Sequence, residues 1–152
     1  MPFVAKVDAY ITKATSNTDY VGQGIFCTAI CDAQSVSRSV SQGATFTYRV
    51  KIKNVANGID SIKARLNQGG SKAIVKSIKV LLNGNVDVTS QFVNGGYTIK
   101  NLHPGSYAYF WVQIKLVSNA HIGNTNSIVI TGQSVRQSPV KDVVQALTTA
   151  KH

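Results

Sequence analysis

In Thr45–Asn54 apolar and polar residues alternate without a break: Phe46, Tyr48, Val50 and Ile52 fall on one side of an extended chain, Thr47, Arg49, Lys51 and Lys53 on the other. A period of two is the mark of a strand with one buried and one wet face. Residues 107–117 repeat the pattern, with Ala108, Phe110, Val112, Ile114 and Leu116 as an inward row and Tyr107, Tyr109 and Trp111 pointing outward. The two inward rows predict a core of Phe46, Tyr48, Val50, Ile52, Phe110, Val112, Ile114 and Leu116.

Other strand-like runs fall at residues 7–11, 34–40, 59–66, 73–82, 86–89, 97–99, 126–135 and 141–147, with Phe92-Val93 as a further short piece. Between them stand turn signals: Asn57-Gly58, Asn67-Gln68-Gly69-Gly70, Asn83-Gly84 and Asn94-Gly95-Gly96. Residues 54–58 therefore join the first strand to the next as a hairpin or as a corner between two sheets. In His103-Pro104-Gly105-Ser106 proline presets φ and glycine accepts a positive φ, which predicts a type II turn. Residues 140–151 follow Pro139 and have some helical character, but Val143-Val144 and Thr148-Thr149 favour a last strand. Short strands at intervals of about 8–12 residues imply a sandwich or barrel rather than a parallel α/β sheet. At 152 residues the chain is expected to be one domain, 1–152, all-β, with two packed antiparallel sheets.

The order of these pieces resembles the immunoglobulin-like repeat modules of large bacterial cell-surface proteins, similar to the cell-adhesion-related domains found in bacteria. The resemblance is carried by residues 41–48 running into Lys51-Ile52-Lys53-Asn54, by residues 84–89, by Gly96-Tyr97-Thr98, by residues 102–106 and by Lys141-Asp142-Val143-Val144, with Tyr20-Val21-Gly22 as an early loop. It covers most of the chain in order. It implies an immunoglobulin-like β-sandwich acting as a non-catalytic building block, usually in tandem, and it supplies no binding residues.

Charge sets the second constraint. Sixteen Lys and Arg stand against six acids, all aspartate, for a net charge of +10. Such a field gathers anions, so anionic glycans and cell-wall polymers are admissible partners beside neighbouring protein modules or subunits. Arg49, Lys51 and Lys53 line one strand face, and Lys63 with Arg65 line the next strand; if the two pair, they form a basic stripe. The stripe carries no aromatic residue of its own, which disfavours nucleic acid, since sheets that bind RNA interleave the two. Tyr107, Tyr109 and Trp111 form the candidate contact patch, for a protein neighbour or for stacked sugars.

Chemistry beyond binding has little support in the sequence. No glutamate occurs, and the aspartates are too scattered to suggest a glycosidase pair. His103, His121 and His152 stand apart from any Ser or Cys nucleophile motif, and Gly22-Gln23-Gly24 lacks the helix that a phosphate-cradling loop needs. The expectation is no enzyme, no cofactor and no metal. Cys27 and Cys31 form a disulfide candidate if the protein lives outside the cytoplasm, and two free thiols otherwise.

The first residues carry no signal-peptide pattern, and no apolar run reaches the length of a membrane span. That leaves an excised segment of an exported protein, or a complete product exported by another route. The function expected is a structural assembly or adhesion module at a cell, filament or virion surface. The alternatives are a carbohydrate-binding module using the aromatic row, or a virion decoration or fibre protein if the gene encodes only this chain.

Overall fold

The computed structural model describes residues 2–152, and its regular structure is almost entirely strand. The strands are β1 (Val7–Thr12), β2 (Ser35–Ser41), β3 (Thr45–Asn54), β4 (Asp60–Gly70), β5 (Val75–Leu82), β6 (Val86–Asp87), β7 (Tyr97–Leu102), β8 (Tyr107–Leu116), β9 (Thr125–Ser134) and β10 (Lys141–Lys151). Among the described residues one α-helix, α1 (Thr89–Val93), lies between β6 and β7, and two short 3-10 turns precede β2 and β5. Sheet A runs β1-β3-β8-β5-β6 and sheet B runs β2-β10-β9-β4-β7. All pairings are antiparallel except β2 with β10, which is parallel. This is an immunoglobulin-like β-sandwich.

The two alternating runs are central strands of sheet A, paired so that Tyr48 lies opposite Val112 and Val50 opposite Phe110. Tyr48, Val50, Ile52, Phe110, Val112, Ile114 and Leu116 are buried, as their period predicts. Phe46, at the end of the row, is only partly buried and lies under the Arg38 guanidinium. Sheet B answers with Ile62, Ala64, Leu66, Ile128, Ile130, Val144 and Ala146. Burying each large aliphatic side chain contributes roughly 1.5–3 kcal/mol. The Tyr48 hydroxyl is the polar tie between the layers, 2.7 Å from the Thr148 hydroxyl of β10. Its burial pushes the Tyr48 phenol up to about 12.

Several sequence expectations are corrected. Asn67-Gln68-Gly69-Gly70 is not a turn: β4 continues through all four, paired with β9 from Asn67 opposite Val129 to Gly70 opposite Asn126. Backbone pairing is indifferent to the weak strand propensity of these side chains when the partner strand is strong. The strand expected at 86–89 stops at Asp87, whose carboxylate accepts from the Thr89 amide and hydroxyl and so starts α1. Phe92, expected in a strand, is therefore on α1, where it packs edge-on against Phe110 with ring centres 5.0 Å apart. Residues 73–82 begin in a 3-10 turn at Lys72–Ile74 and become a strand at Val75.

Other expectations hold. Ser106 N–H donates to the His103 carbonyl at 3.0 Å and Gly105 has φ +84°, which is the type II turn before β8. Residues 141–151 form a strand, and the β3–β4 connection is a corner, because the two strands lie in different sheets.

Candidate interaction face on sheet A

β3 and β8 carry their polar and aromatic rows on the same, outer side of sheet A. In register, Arg49 lies opposite Trp111, Lys51 opposite Tyr109 and Lys53 opposite Tyr107. The basic row and the aromatic row are therefore one surface. The premise that the basic stripe lacks aromatic neighbours holds along β3 alone and fails across the sheet.

Neighbouring strands widen this surface. On one side, Tyr10 and Thr12 of β1 lie opposite Lys51 and Arg49. The segment after β1 folds back over them, so β1 is buried on both sides even though it is an edge strand. Tyr20 packs edge-on against Tyr10 at 5.3 Å, and Ile11 and Val21 exchange backbone hydrogen bonds. Covering an edge in this way removes a free row of backbone donors and acceptors. Four of the six tyrosines and the only tryptophan thus meet on this side of the sheet.

The rings and cations hold one another. The Arg49 guanidinium lies over the Trp111 ring at 4.7 Å, donates to the Tyr109 hydroxyl at 3.3 Å and to the Thr15 carbonyl at 2.6 Å. Trp111 Nε1–H donates to the same Tyr109 hydroxyl at 2.7 Å. The Lys51 ammonium sits between two rings, 4.6 Å from Tyr107 and 4.9 Å from Tyr20. Each such cation–π contact contributes about 0.5–2 kcal/mol, more as water is excluded. Burial, with the neighbouring Tyr109 second, raises the Tyr20 phenol well above its ordinary value of 10.

Trp111 is flanked from both neighbouring strands. Arg49 approaches from β3, and Gly84, in the turn between β5 and β6, approaches from the other side. A Cβ built on Gly84 would stand 2.9–3.1 Å from three ring atoms. The indole is therefore hemmed in from both sides and only partly exposed, which leaves less of it for a sugar ring than Tyr107 offers at 48% exposed.

The other half of the expected basic stripe is elsewhere. Lys63 and Arg65 belong to β4 in sheet B, so they face away from Arg49, Lys51 and Lys53 across the whole sandwich. Their strand never pairs with β3, and the single stripe does not form. They line a groove of about 340 Å3 with Thr98, Gln133 and Ser138, and Arg65 donates to Gln133 at 2.6 Å.

Cys27 and Cys31 are joined in a disulfide that closes a small loop. Buried aspartates anchor the segment. Asp8 accepts the Gly24 amide at 2.9 Å, and Asp142 accepts the amides of Cys27 and Ala9 at 2.8 and 2.7 Å. Burial raises both carboxyls above the ordinary 3.8, against the lowering effect of those amides. Asp60, likewise buried, binds the Ser134 hydroxyl and the Arg136 amide. Half of the six aspartates are thus buried and bound to the protein's own polar groups, and the exposed surface is left more one-sided than the composition implies.

Among the described residues no three His, Cys, Asp or Glu side chains group to hold a metal ion, and no helix is long and apolar enough to cross a membrane.

No family model and no curated protein sequence matches this chain. Solved structures resemble it in fold. A family 123 glycoside hydrolase from Clostridium perfringens aligns with a TM-score of 0.56 over 95% of this chain at 10% identity, and the chain spans 27% of that hydrolase's length. A FixG-related protein from Vibrio parahaemolyticus has a TM-score of 0.48 at 9% identity, over 98% of this chain and 100% of its own. The sixth cohesin of scaffoldin B from Acetivibrio cellulolyticus, solved with a dockerin, has a TM-score of 0.36 at 12% identity, over 77% and 96%.

Tyr10, Tyr20 and Gly84 were missing from the sequence-derived site. Tyr20 sits in a segment without periodicity, and its partners are set by strand register, which no local pattern encodes.

Proposed function

We propose that this protein is a non-catalytic interaction module at a cell, filament or virion surface, working through the aromatic half of the outer face of sheet A. The observation that carries the reading is the register of β3 against β8, which sets Arg49, Lys51 and Lys53 opposite Trp111, Tyr109 and Tyr107. Tyrosine, tryptophan and arginine dominate the energetics of protein interfaces because they offer large area with little rotamer freedom to lose. Here their mutual contacts already fix the side chains, so docking would cost little further ordering.

The partner that fits is a protein surface bearing carboxylates, not a second copy of this face. Two copies placed face to face would oppose cations to cations, which is strongly unfavourable. Sugar stacking is disfavoured by the flanked Trp111 ring.

Tyr107→Ala tests the reading, because that side chain is the most exposed of the row and its loss leaves the core untouched. Binding to the partner drawn from the natural source, followed by light scattering and calorimetry, is expected to weaken more than about tenfold, or ~1.4 kcal/mol. Unchanged binding in Tyr107→Ala and in Lys51→Ala together would remove this face from consideration.

A further inference from the structure

Below the aromatic half, the outer side of sheet A changes character. Lys79 of β5 lies opposite Gln113 of β8, and Ser77 lies opposite Lys115. Lys79, Lys115, Ser77, Gln113 and Thr45 line a depression of about 120 Å3. It adjoins two more. One of about 410 Å3 shares Lys115 and adds Lys76 and Ser118; one of about 310 Å3 shares Lys76 and Ser77 and adds Lys72, Gln68 and Thr89. The three form a continuous track around β5, linked through shared side chains.

Four lysines line this track, all exposed, and no carboxylate and no aromatic residue lines any part of it. Lys79 and Lys115 are diagonal neighbours across β5 and β8, at a spacing of about 7–8 Å between backbones. Like charges at that distance repel. The nearest acid in register is Asp87, opposite Leu81; its carboxylate accepts from the Thr89 amide and hydroxyl, which together with the positive charge of Lys79 hold it below the usual range. Four ammonium groups with a single carboxylate beside one of them, Asp87 near Lys79, and with hydroxyl and amide side chains between them, are complementary to a chain that carries both negative charge and hydroxyls.

We propose that the Lys72/Lys76/Lys79/Lys115 track binds an acidic polysaccharide, whose carboxylate or sulfate groups meet the lysines while its hydroxyls meet Thr45, Ser77 and Gln113. The absence of any ring along the track separates this ligand from single-stranded nucleic acid, which gains affinity by stacking bases on aromatic side chains. The same absence separates it from a protein partner, which needs buried aromatic or arginine anchors. The site is distinct from the aromatic half of the face, so the two readings fail independently.

The test is calorimetric titration of the intact protein with a heparin octasaccharide and with a polygalacturonate oligomer, beside a neutral glucan, a single-stranded oligonucleotide and a poly-aspartate peptide. Circular dichroism would confirm that each variant is folded. Both acidic glycans are expected to bind, more weakly as salt is raised, and the neutral glucan is not. Lys79→Gln with Lys115→Gln should lower glycan affinity at least about tenfold, and Lys72→Gln with Lys76→Gln should do the same. Lys63→Gln with Arg65→Gln on sheet B, and Tyr107→Ala in the aromatic half, should leave it unchanged. The proposal is overturned if neither acidic glycan binds at low salt, if the sheet B pair costs as much as the track lysines, or if the oligonucleotide or the peptide binds more tightly than the glycans.

Discussion

The Cys27 amide donates to the Asp142 carboxylate at 2.8 Å across 115 positions of sequence, so the disulfide loop is pinned by the last strand of the sandwich. The other Asp142 oxygen takes the Ala9 amide of β1 at 2.7 Å, and the first also takes the Val143 amide at 3.1 Å. One fully buried side chain thus ties together β1, the loop and β10. A carboxylate suits the place because it has two acceptor oxygens and no donor.

Asp142→Asn is expected to destabilise the protein although it removes a buried charge. An amide has one acceptor oxygen, and its NH2 would face an amide N–H that then has no partner, at a cost of about 1–3 kcal/mol. Thermal denaturation should show a Tm lower by several degrees, and hydrogen exchange should quicken at Ala9 or Cys27. A variant as stable as the wild type, with both amides still protected, would show that the carboxylate is dispensable.

Asp8→Asn separates charge from hydrogen bonding, because asparagine retains an oxygen for the Gly24 amide. The Asp8 carboxyl is raised above its ordinary 3.8, first by burial and then by the negative charge of Asp142, against the lowering effects of the Gly24 amide, Lys53 and Lys6. A value raised in the folded state means that the ionised form costs stability at neutral pH. That stability is recovered as pH falls through the raised value towards 3.8. The wild type regains it on acidification and the variant has nothing to regain. The Tm of Asp8→Asn, taken relative to wild type, should therefore fall as pH is lowered from neutrality towards 4, and a constant or rising difference would contradict the assignment.

The disulfide itself should matter modestly. Closing so short a loop removes little freedom from the unfolded chain, about 2 kcal/mol on the chain-entropy account against ~3 kcal/mol for a 15-residue loop. Cys27→Ser with Cys31→Ser should lower Tm by about 4–8 °C for a chain of this size and leave the strand content by circular dichroism unchanged. Loss of the fold would mean that the loop does far more than its length accounts for.

What could be read from the sequence follows from where the information lies. The inward rows of β3 and β8 were legible because a period of two is local and both strands are long. The outward direction of Arg49 and Trp111 was legible for the same reason, but their contact was not, since it depends on which strands pair and in what register. The same gap separates Lys63 and Arg65 from the β3 stripe: a corner and a hairpin have the same turn chemistry, and only packing decides between them. Asn67 to Gly70 carry turn residues yet complete a strand, and α1 has too few residues to display a helical period. The Asp142 clamp, spanning nearly the whole chain, has no local signature at all.

Gly84 offers the most direct probe of how the aromatic half is built. Its φ of +77° is a conformation that glycine adopts freely and alanine does not, and it closes the turn from β5 into β6. The missing side chain also makes room for Trp111, since a Cβ there would come within 2.9 Å of the indole. Gly84→Ala therefore strains the turn and pushes the ring towards Arg49, at a cost of about 1–3 kcal/mol. Trp111 is the only tryptophan, so its fluorescence reports on this site alone. The expected result is a shifted emission maximum in a protein that remains folded, with the Trp111 contact to Arg49 and its hydrogen bond to Tyr109 disturbed. Emission identical to wild type together with unchanged Tm would mean that the turn relaxes away from the ring, and that Gly84 does not set the position of Trp111.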